Sequence, residues 1–442
     1  MTDLIFTFDT EDYVNEKGAD GIVRASKIIR EAGFTPCHNV VGWLAEALQK
    51  WGRTDCIEEL KKCEIHTHSL KHSFHPTINE YTDIEDFDEA MKHFRKEEDE
   101  CFDILKRILG EHRIGAASPP GVSDSYVALY GYADMGVEIF EGGLTHDIVR
   151  SRPVSFCNLW NILLKSCYDN FGKCSKDDVL KLIEEMAELD VCICLHHPQM
   201  HVVTTFTDRQ NFYKENNQGE WVKSDLCTEE EVKRFEENLR FFLEKIKADD
   251  RFNVTTYNAL ADKLRSHRVI TPDMIPELRK ALCDDFFPVT IPESLCISDV
   301  LLACRDFLQG KEEHVCGKVF GFLDVPYAIP HPVRVTADEM RESANQIPDG
   351  TFLPTEITVG GKKLGPADWL RAALAILSGE REFTVVPDKW QIDLNEFPTL
   401  RNQRLAGWWV HSDSFKDEYI SDRCRLQSWT IRLPKDSKRK IF

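Results

Sequence analysis

Basic charge is scarce in this chain. Its 442 residues carry 55 lysines and arginines against 75 aspartates and glutamates, a formal net charge of −20. A phosphate backbone or an anionic membrane surface calls for concentrated positive charge, so nucleic-acid and membrane partners are excluded as expectations. The one basic cluster, Lys435 to Lys440, reads as a solvated tail. No apolar run approaches the roughly 18 residues of a transmembrane helix. Met1 to Asp9 also lacks the basic start and long apolar stretch of a secretory signal, so a cytoplasmic location is expected. The fifteen cysteines form no C-x-x-C pair, and an odd count without a signal fits reduced, mostly buried thiols.

What is present describes a globular protein, with 42% hydrophobic and 29% charged residues. The length exceeds one ordinary core and predicts at least two domains. Up to Ser266, short apolar runs alternate with amphipathic segments. Leu4–Phe8, Phe34–Val41, Cys63–Ile65, Val137–Phe140, Val191–Leu195 and Phe252–Thr256 read as strands. Gly21–Ala32, Gly42–Trp51, Asp86–Leu109, Tyr126–Gly136, Asp177–Leu189, Glu229–Ala248 and Tyr257–Ser266 read as helices, and Thr204–Ser224 as a long loop. This alternation predicts an α/β fold with a mostly parallel sheet, closed or nearly closed into a barrel. Residues 1–266 are assigned to it, and 267–442 to a C-terminal α+β domain.

That second domain contains an internal repeat. Sliding the chain by 66 residues places Val269 on Val335, Met274 on Met340 and Phe287-Pro288 on Leu353-Pro354. With three more residues inserted, Asp299 falls on Asp368 and Leu308-Gln309-Gly310 on Leu377-Ser378-Gly379. The repeat predicts two related helix, turn, helix units. The stretch from Phe383 to Leu433, with Trp390, Trp408, Trp409 and Trp429, reads as buried sheet core, with a carbohydrate platform as the competing reading.

Three strand ends carry polar clusters: Asp9 to Asp12, His66 to His72, and His196-His197. Strand ends of a parallel barrel converge on one face, so these clusters are expected to share a pocket. His68 and His72 are four apart, a spacing that on a helical turn brings both imidazoles to one ion. One carboxylate with two histidines is a common ligand set for a catalytic divalent metal. A second carboxylate then suits a general base, and a further histidine a general acid.

These same residues resemble the motifs of the polysaccharide deacetylase family, the NodB-homology domain of carbohydrate esterase family 4. Thr7-Phe8-Asp9-Thr10-Glu11-Asp12 resembles its first motif, His68-Ser69-Leu70-Lys71-His72 its second, and Leu195-His196-His197-Pro198 its late motif. Phe252 to Leu264 is similar to its closing strand and helix. The resemblance covers about residues 1–266 and implies a distorted (β/α)7-type barrel. It implies Asp9 as base, His197 as acid, and Asp12, His68 and His72 as metal ligands. Glu11 is the alternative to Asp12, and His196 the alternative to His197. Zinc is the implied ion, with nickel, cobalt or iron suited to the same ligands. The implied reaction is hydrolysis of a C–N amide bond, usually the acetyl group of an N-acetylated sugar, with another small amide as the alternative substrate. The family's third motif carries an arginine that orients the base, but Ser118-Pro119-Pro120 stands here instead. That departure keeps a non-catalytic carbohydrate- or partner-binding protein in view, as well as a non-sugar amidohydrolase. His66 and His75 fit no motif position and are expected to be supporting residues. Leu353-Pro354, Val359-Gly360-Gly361 and the helix from Asp368 are similar to pseudomurein-binding repeats. An interaction or assembly module, suited to homo-oligomer formation, is the preferred role for this domain.

Overall fold

Thr2–Thr10 forms β1, nine residues that are all buried, as expected for a strand covered on both faces of a parallel sheet. The structure is a computed structural model, and it describes residues 1–120, 125–142, 152–162, 164–282, 287–290, 294–387 and 409–435. Beyond β1, the strands up to residue 264 are β2 (Cys37–Val40), β3 (Glu64–Thr67), β4 (Ala116–Ala117), β5 (Ile139–Glu141), β6 (Val154–Phe156), β7 (Leu159–Ile162), β8 (Leu164–Cys167), β9 (Val191–His196) and β10 (Phe252–Thr255). The main sheet runs β7-β5-β4-β3-β2-β1-β9-β8, with β10 beside the first half of β1. Every pairing along this path is parallel, and the sheet is curled as in a distorted (β/α) barrel.

The helices between these strands are α1 (Asp20–Glu31), α2 (Gly42–Trp51), α3 (Thr54–Leu60), α4 (Ile78–Thr82), α5 (Phe87–Leu109), α6 (Tyr126–Asp134), α7 (Lys176–Ala187), α8 (Asp208–Asn211), α9 (Glu229–Ala248) and α10 (Tyr257–Leu264). Asp86 caps α5 by accepting from the Glu89 amide at 2.9 Å, and Ser175 and Thr228 close capping boxes on α7 and α9. The run from 153 to 167 gave no periodic signal, because β6 to β8 are only three or four residues long. Among the described residues, no helix is long and apolar enough to cross a membrane.

The chain divides into two compact units. The first comprises 1–152, 159–264 and 403–421; the second comprises 153–158, 265–402 and 422–442. The division near Leu264 lies close to the sequence boundary at 266, while residues 153–158 and 403–421 each join the other unit.

The second unit contains the repeat. Its first copy runs β11 (Val269–Ile270), a 3-10 turn into α11 (Ile275–Ala281), α12 (Ile297–Leu308) and β12 (His314–Val315). The second runs β13 (Val333–Thr336), α13 (Ala337–Ser343), the hairpin β14 (Ile357–Val359) and β15 (Lys362–Leu364), α14 (Pro366–Leu377) and β16 (Glu382–Val385). In each copy the first and last strands pair antiparallel. Both α12 and α14 span 12 residues. Asp299 and Asp368 occupy the same N3 position, accepting from the Cys296 amide at 2.9 Å and the Gly365 amide at 3.3 Å. Gly310 and Gly379 follow these helices with φ of 85° and 103°, a left-handed backbone that glycine adopts without strain.

The expectation of sheet core from Phe383 to Leu433 holds at β16, lies outside the described residues from 388 to 408, and is corrected from 409 on. After β16, described residues 409–435 hold turns and the helix α15 (Ile420–Leu426). Trp429 is buried edge-on to Phe322, whereas Trp409 is half-exposed. Trp390, Trp408 and most of the basic tail lie outside the described residues.

Candidate metal centre

Register and alternation sort the polar residues at the strand ends. Phe8 of β1 pairs with His38 of β2 and His196 of β9, and Asp9 pairs with Asn39. Side chains alternate faces along a strand, so His196, Phe8 and His38 share one face and Asp9 and Asn39 the other. The first face lies under the helices. His38 stacks on Phe8 with ring centroids 4.5 Å apart, and Thr10 and Ser26 satisfy its two nitrogens at 2.7 and 2.8 Å. His196 packs among Tyr168, Phe235 and Phe8. Burial pushes His38 down to about 3 and His196 to about 4, so both are neutral core residues at neutral pH.

The opposite face carries the chemistry. His68 and His72 lie in the loop after β3, with ring centroids 4.9 Å apart. Their four-residue spacing does not come from a helical turn, as the sequence suggested. Ser69 and His72 are left-handed, with φ of 69° and 54°, and the loop is irregular. Side chains and a helix end secure it. Thr67 and Ser69 hydroxyls accept from the Ser69 and His72 amides, each at 3.2 Å. The first amides of α2, Gly42 and Trp43, donate to the Ser69 and Leu70 carbonyls at 3.1 and 2.9 Å.

The carboxylate that meets both imidazoles is Glu11. Its Oε2 lies 3.2 Å from His68 Nε2 and 3.0 Å from His72 Nε2. Gln199 Nε2 donates to its Oε1 at 2.8 Å. Asp12, expected as the acidic ligand, is used otherwise. Its Oδ1 accepts from the Val14 and Asn15 amides at 3.0 and 2.9 Å, and its Oδ2 from the Asn15 side chain at 2.8 Å. The turn after β1 therefore consumes Asp12 and presents Glu11.

One potential ligand atom from each of Glu11, His68 and His72 lies within 4.8 Å of the others. His72 Nδ1 pairs with the Asp208 carboxylate, the usual arrangement behind a metal-bound imidazole. Among the described residues, His68 Nδ1 is buried without a hydrogen-bond partner and lies 3.8 Å from Asp9 Oδ1. Burial works to raise the Glu11 pKa, but the charges of His72 and His197 and hydrogen bonds from His68 and His72 hold it well below the carboxylate range. Burial works to lower His72, but the charges of Asp208 and Glu11 hold it up at about 10. This charged, water-poor donor set of two imidazoles and one carboxylate fits a divalent cation.

Asp9 and His197 flank the set. Asp9 Oδ1 accepts from Asn39 Nδ2 at 3.0 Å, and Oδ2 lies 3.9 Å from His197 Nε2. His197 Nδ1 pairs with Asp169 Oδ2 at 2.7 Å, and Asp169 Oδ1 accepts from the His197 amide at 2.8 Å. Burial disfavours the imidazolium, but the carboxylates of Glu11 and Asp169 hold the His197 pKa well above its ordinary value. Phe206 meets the ring edge-on at 4.7 Å. Gly21 of α1 lets this corner close, since a Cβ there would lie 1.8 Å from the Pro198 carbonyl oxygen.

His66 and His75 stand outside the cluster. His66 sits between Glu64 Oε1 at 2.9 Å and the Ala116 amide at 3.1 Å, while His75 bridges Glu80 and the Phe212 carbonyl. Sequence reasoning missed Asn39, Glu141, Asp169, Gln199 and Asp208. For Asn39 and Glu141 a usable signal existed, a polar residue within or just beyond an apolar run read as a strand, whereas Asp169 follows β8, which offers no such run. Asp208 lies in a stretch read as featureless loop.

No family model matches the chain, and no curated protein matches it. Several solved structures are similar at low identity. The 4-alpha-glucanotransferase from Thermococcus litoralis is 10% identical, with a TM-score of 0.39 over 60% of this chain and 40% of that one. The chain thus spans well under half of that protein. A family 4 carbohydrate esterase from Streptomyces lividans, solved in complex with acetate, is 10% identical over 58% of this chain and 92% of its own, with a TM-score of 0.32. A carbohydrate esterase family 4 pseudoenzyme from Bacillus anthracis is 12% identical over 60% and 67%, with a TM-score of 0.36. The similar structures are mostly polysaccharide deacetylases of carbohydrate esterase family 4. At TM-scores below 0.5 these likenesses carry no argument, and the chemistry rests on the residues described above.

Proposed function

We propose that this chain is a divalent-metal-dependent hydrolase of a C–N amide bond, acting on the acetyl group of an N-acetylated sugar or on another small amide. The observation that carries the reading is the Glu11, His68 and His72 set, with Asp9 and the Asp169-backed His197 on its flanks. Zinc suits these donors, and nickel, cobalt or iron would also fit. A bound cation supplies Lewis acidity to the amide carbonyl and to the attacking water. The protein residues manage the protons. Asn39 holds Asp9 by Oδ1, which leaves Oδ2 to accept the proton of water. His197 is a proton donor at neutral pH because the carboxylates of Glu11 and Asp169 stabilise its charge, and it protonates the departing amine. The 3.9 Å between Asp9 Oδ2 and His197 Nε2 supports their acting as acceptor and donor within one small volume.

The test is acetate release from N-acetylated chitooligosaccharides by zinc-loaded protein, with small acetamides in parallel. Acetate and free amine are expected in equal amounts, with loss of both upon chelation and in Asp9→Asn. Absence of acetate from every substrate, or full activity in Asp9→Asn, would overturn the reading.

A further inference from the structure

Asp9 has a buried neighbour of the same charge type that the proposed chemistry does not use. Glu141 ends β5, and the same two side chains join it to Asp9. Ser118 Oγ lies 3.1 Å from Glu141 Oε2 and 3.4 Å from Asp9 Oδ1. Asn39 Nδ2 lies 3.0 Å from Asp9 Oδ1 and 3.4 Å from Glu141 Oε1. All four residues are buried. Among the described residues, no lysine or arginine forms an ion pair with either carboxyl group.

A serine hydroxyl has one hydrogen and cannot donate to two carboxylates at once. The geometry is satisfied if Glu141 carries a proton, donates it to Ser118 Oγ, and Ser118 donates to Asp9 Oδ1. Two buried carboxylates this close also resist carrying two charges. Burial, with the Asp9 charge beside it, accordingly pushes the Glu141 carboxyl well above its usual range.

We propose that Glu141 is the positioning residue for Asp9, locking Oδ1 through Ser118 and Asn39 and turning Oδ2 toward His197. The inference rests on the reading of Asp9 as base. Its test therefore includes a measurement independent of turnover.

The variants are Glu141→Ala, Glu141→Gln and Ser118→Ala, each loaded with zinc. Glu141→Ala is expected to lower kcat about 100-fold, with KM within about twofold, because it frees a group needed only during the chemical step. Glu141→Gln, a neutral isostere able to donate to Ser118, is expected to recover most of that loss. An ionised Glu141 would instead make Gln as damaging as Ala. Ser118→Ala, the milder variant should Glu141→Ala not fold, is expected to lose about tenfold. Crystal structures of the variants supply the independent arm. The Asp9 carboxylate should leave its position over Asn39 in Glu141→Ala, while zinc stays at one per chain. Parent-level kcat in both Glu141→Ala and Ser118→Ala, or an unmoved Asp9 in their crystals, would overturn the proposal. If the parent hydrolyses no amide, the functional reading fails, and the position of Asp9 in the variants still decides this inference.

Discussion

His72 is gripped at both ring nitrogens, by Glu11 at Nε2 and by Asp208 at Nδ1. A carboxylate behind an imidazole fixes the ring and raises its basicity as a ligand. The left-handed backbone at His72 makes that grip more important, because the loop offers no helical ladder to hold the side chain. Asp208→Ala is therefore expected to weaken zinc affinity about 10- to 100-fold, measured by competition with a chromogenic chelator. Unchanged affinity would show that the loop alone orients His72. The histidines themselves were visible in the sequence, whereas the carboxylates supporting them were not. Glu11 and Asp12 are adjacent acids, and only the hydrogen bonds of the turn decide which one meets the imidazoles of His68 and His72. Asp208 lies 136 positions beyond His72 in sequence, and no periodic pattern marks it.

The strands β1, β2 and β9 carry two opposed rows of side chains, and the outer row buries two imidazoles. His38 and His196 are neutral when folded, at about 3 and about 4 against an ordinary 6.5, because burial disfavours their charged forms. Unfolding exposes both, so below about pH 6.5 the unfolded chain binds more protons and stability falls as pH drops. Each group costs up to about 1.4 kcal/mol per pH unit in this window. His72 acts in the other direction, but its raised pKa contributes fully below 6.5 and fades only as pH rises toward 10. In metal-free protein these two imidazoles are thus expected to cost on the order of 3 kcal/mol between pH 6.5 and 5, while the buried carboxyls of Glu98 and Glu141, both raised by burial, gain stability in the same window and oppose that loss. Scanning calorimetry should therefore show a Tm that falls more steeply over this window in the parent than in His38→Asn. Equal slopes in the two would contradict a neutral buried imidazole at His38. Strand alternation was available to sequence reasoning, and it would have assigned His197 over His196 once Asp9 was placed inside the barrel. The missing information was register, since pairing Phe8 with His196 requires β9 beside β1.

Across the molecule, much of the architecture could be read from apolar periodicity and turn residues. The parallel sheet, the long helices and the boundary near 264 follow from patterns within single segments. The repeat was legible because two aspartates and two glycines mark equivalent helix ends, and the 12-residue helices between them agree. Two segments were harder to read. The short strands from 153 to 167 lack a period, and the aromatic stretch after 408 packs without forming a sheet. One difference between the copies also required the fold. Arg432 forms a two-point ion pair with Asp299 at 2.7 and 2.9 Å, whereas Asp368 caps its helix and accepts from the Ile329 amide.

The proposed function turns on one cation that Glu11, His68 and His72 would hold. Calorimetric titration of metal-free protein with zinc tests this directly, using the parent, Glu11→Gln and Asp12→Asn. One zinc per chain is expected in the parent and in Asp12→Asn, with stoichiometric binding lost in Glu11→Gln. Equal binding by the parent and Glu11→Gln, or loss in Asp12→Asn alone, would contradict it.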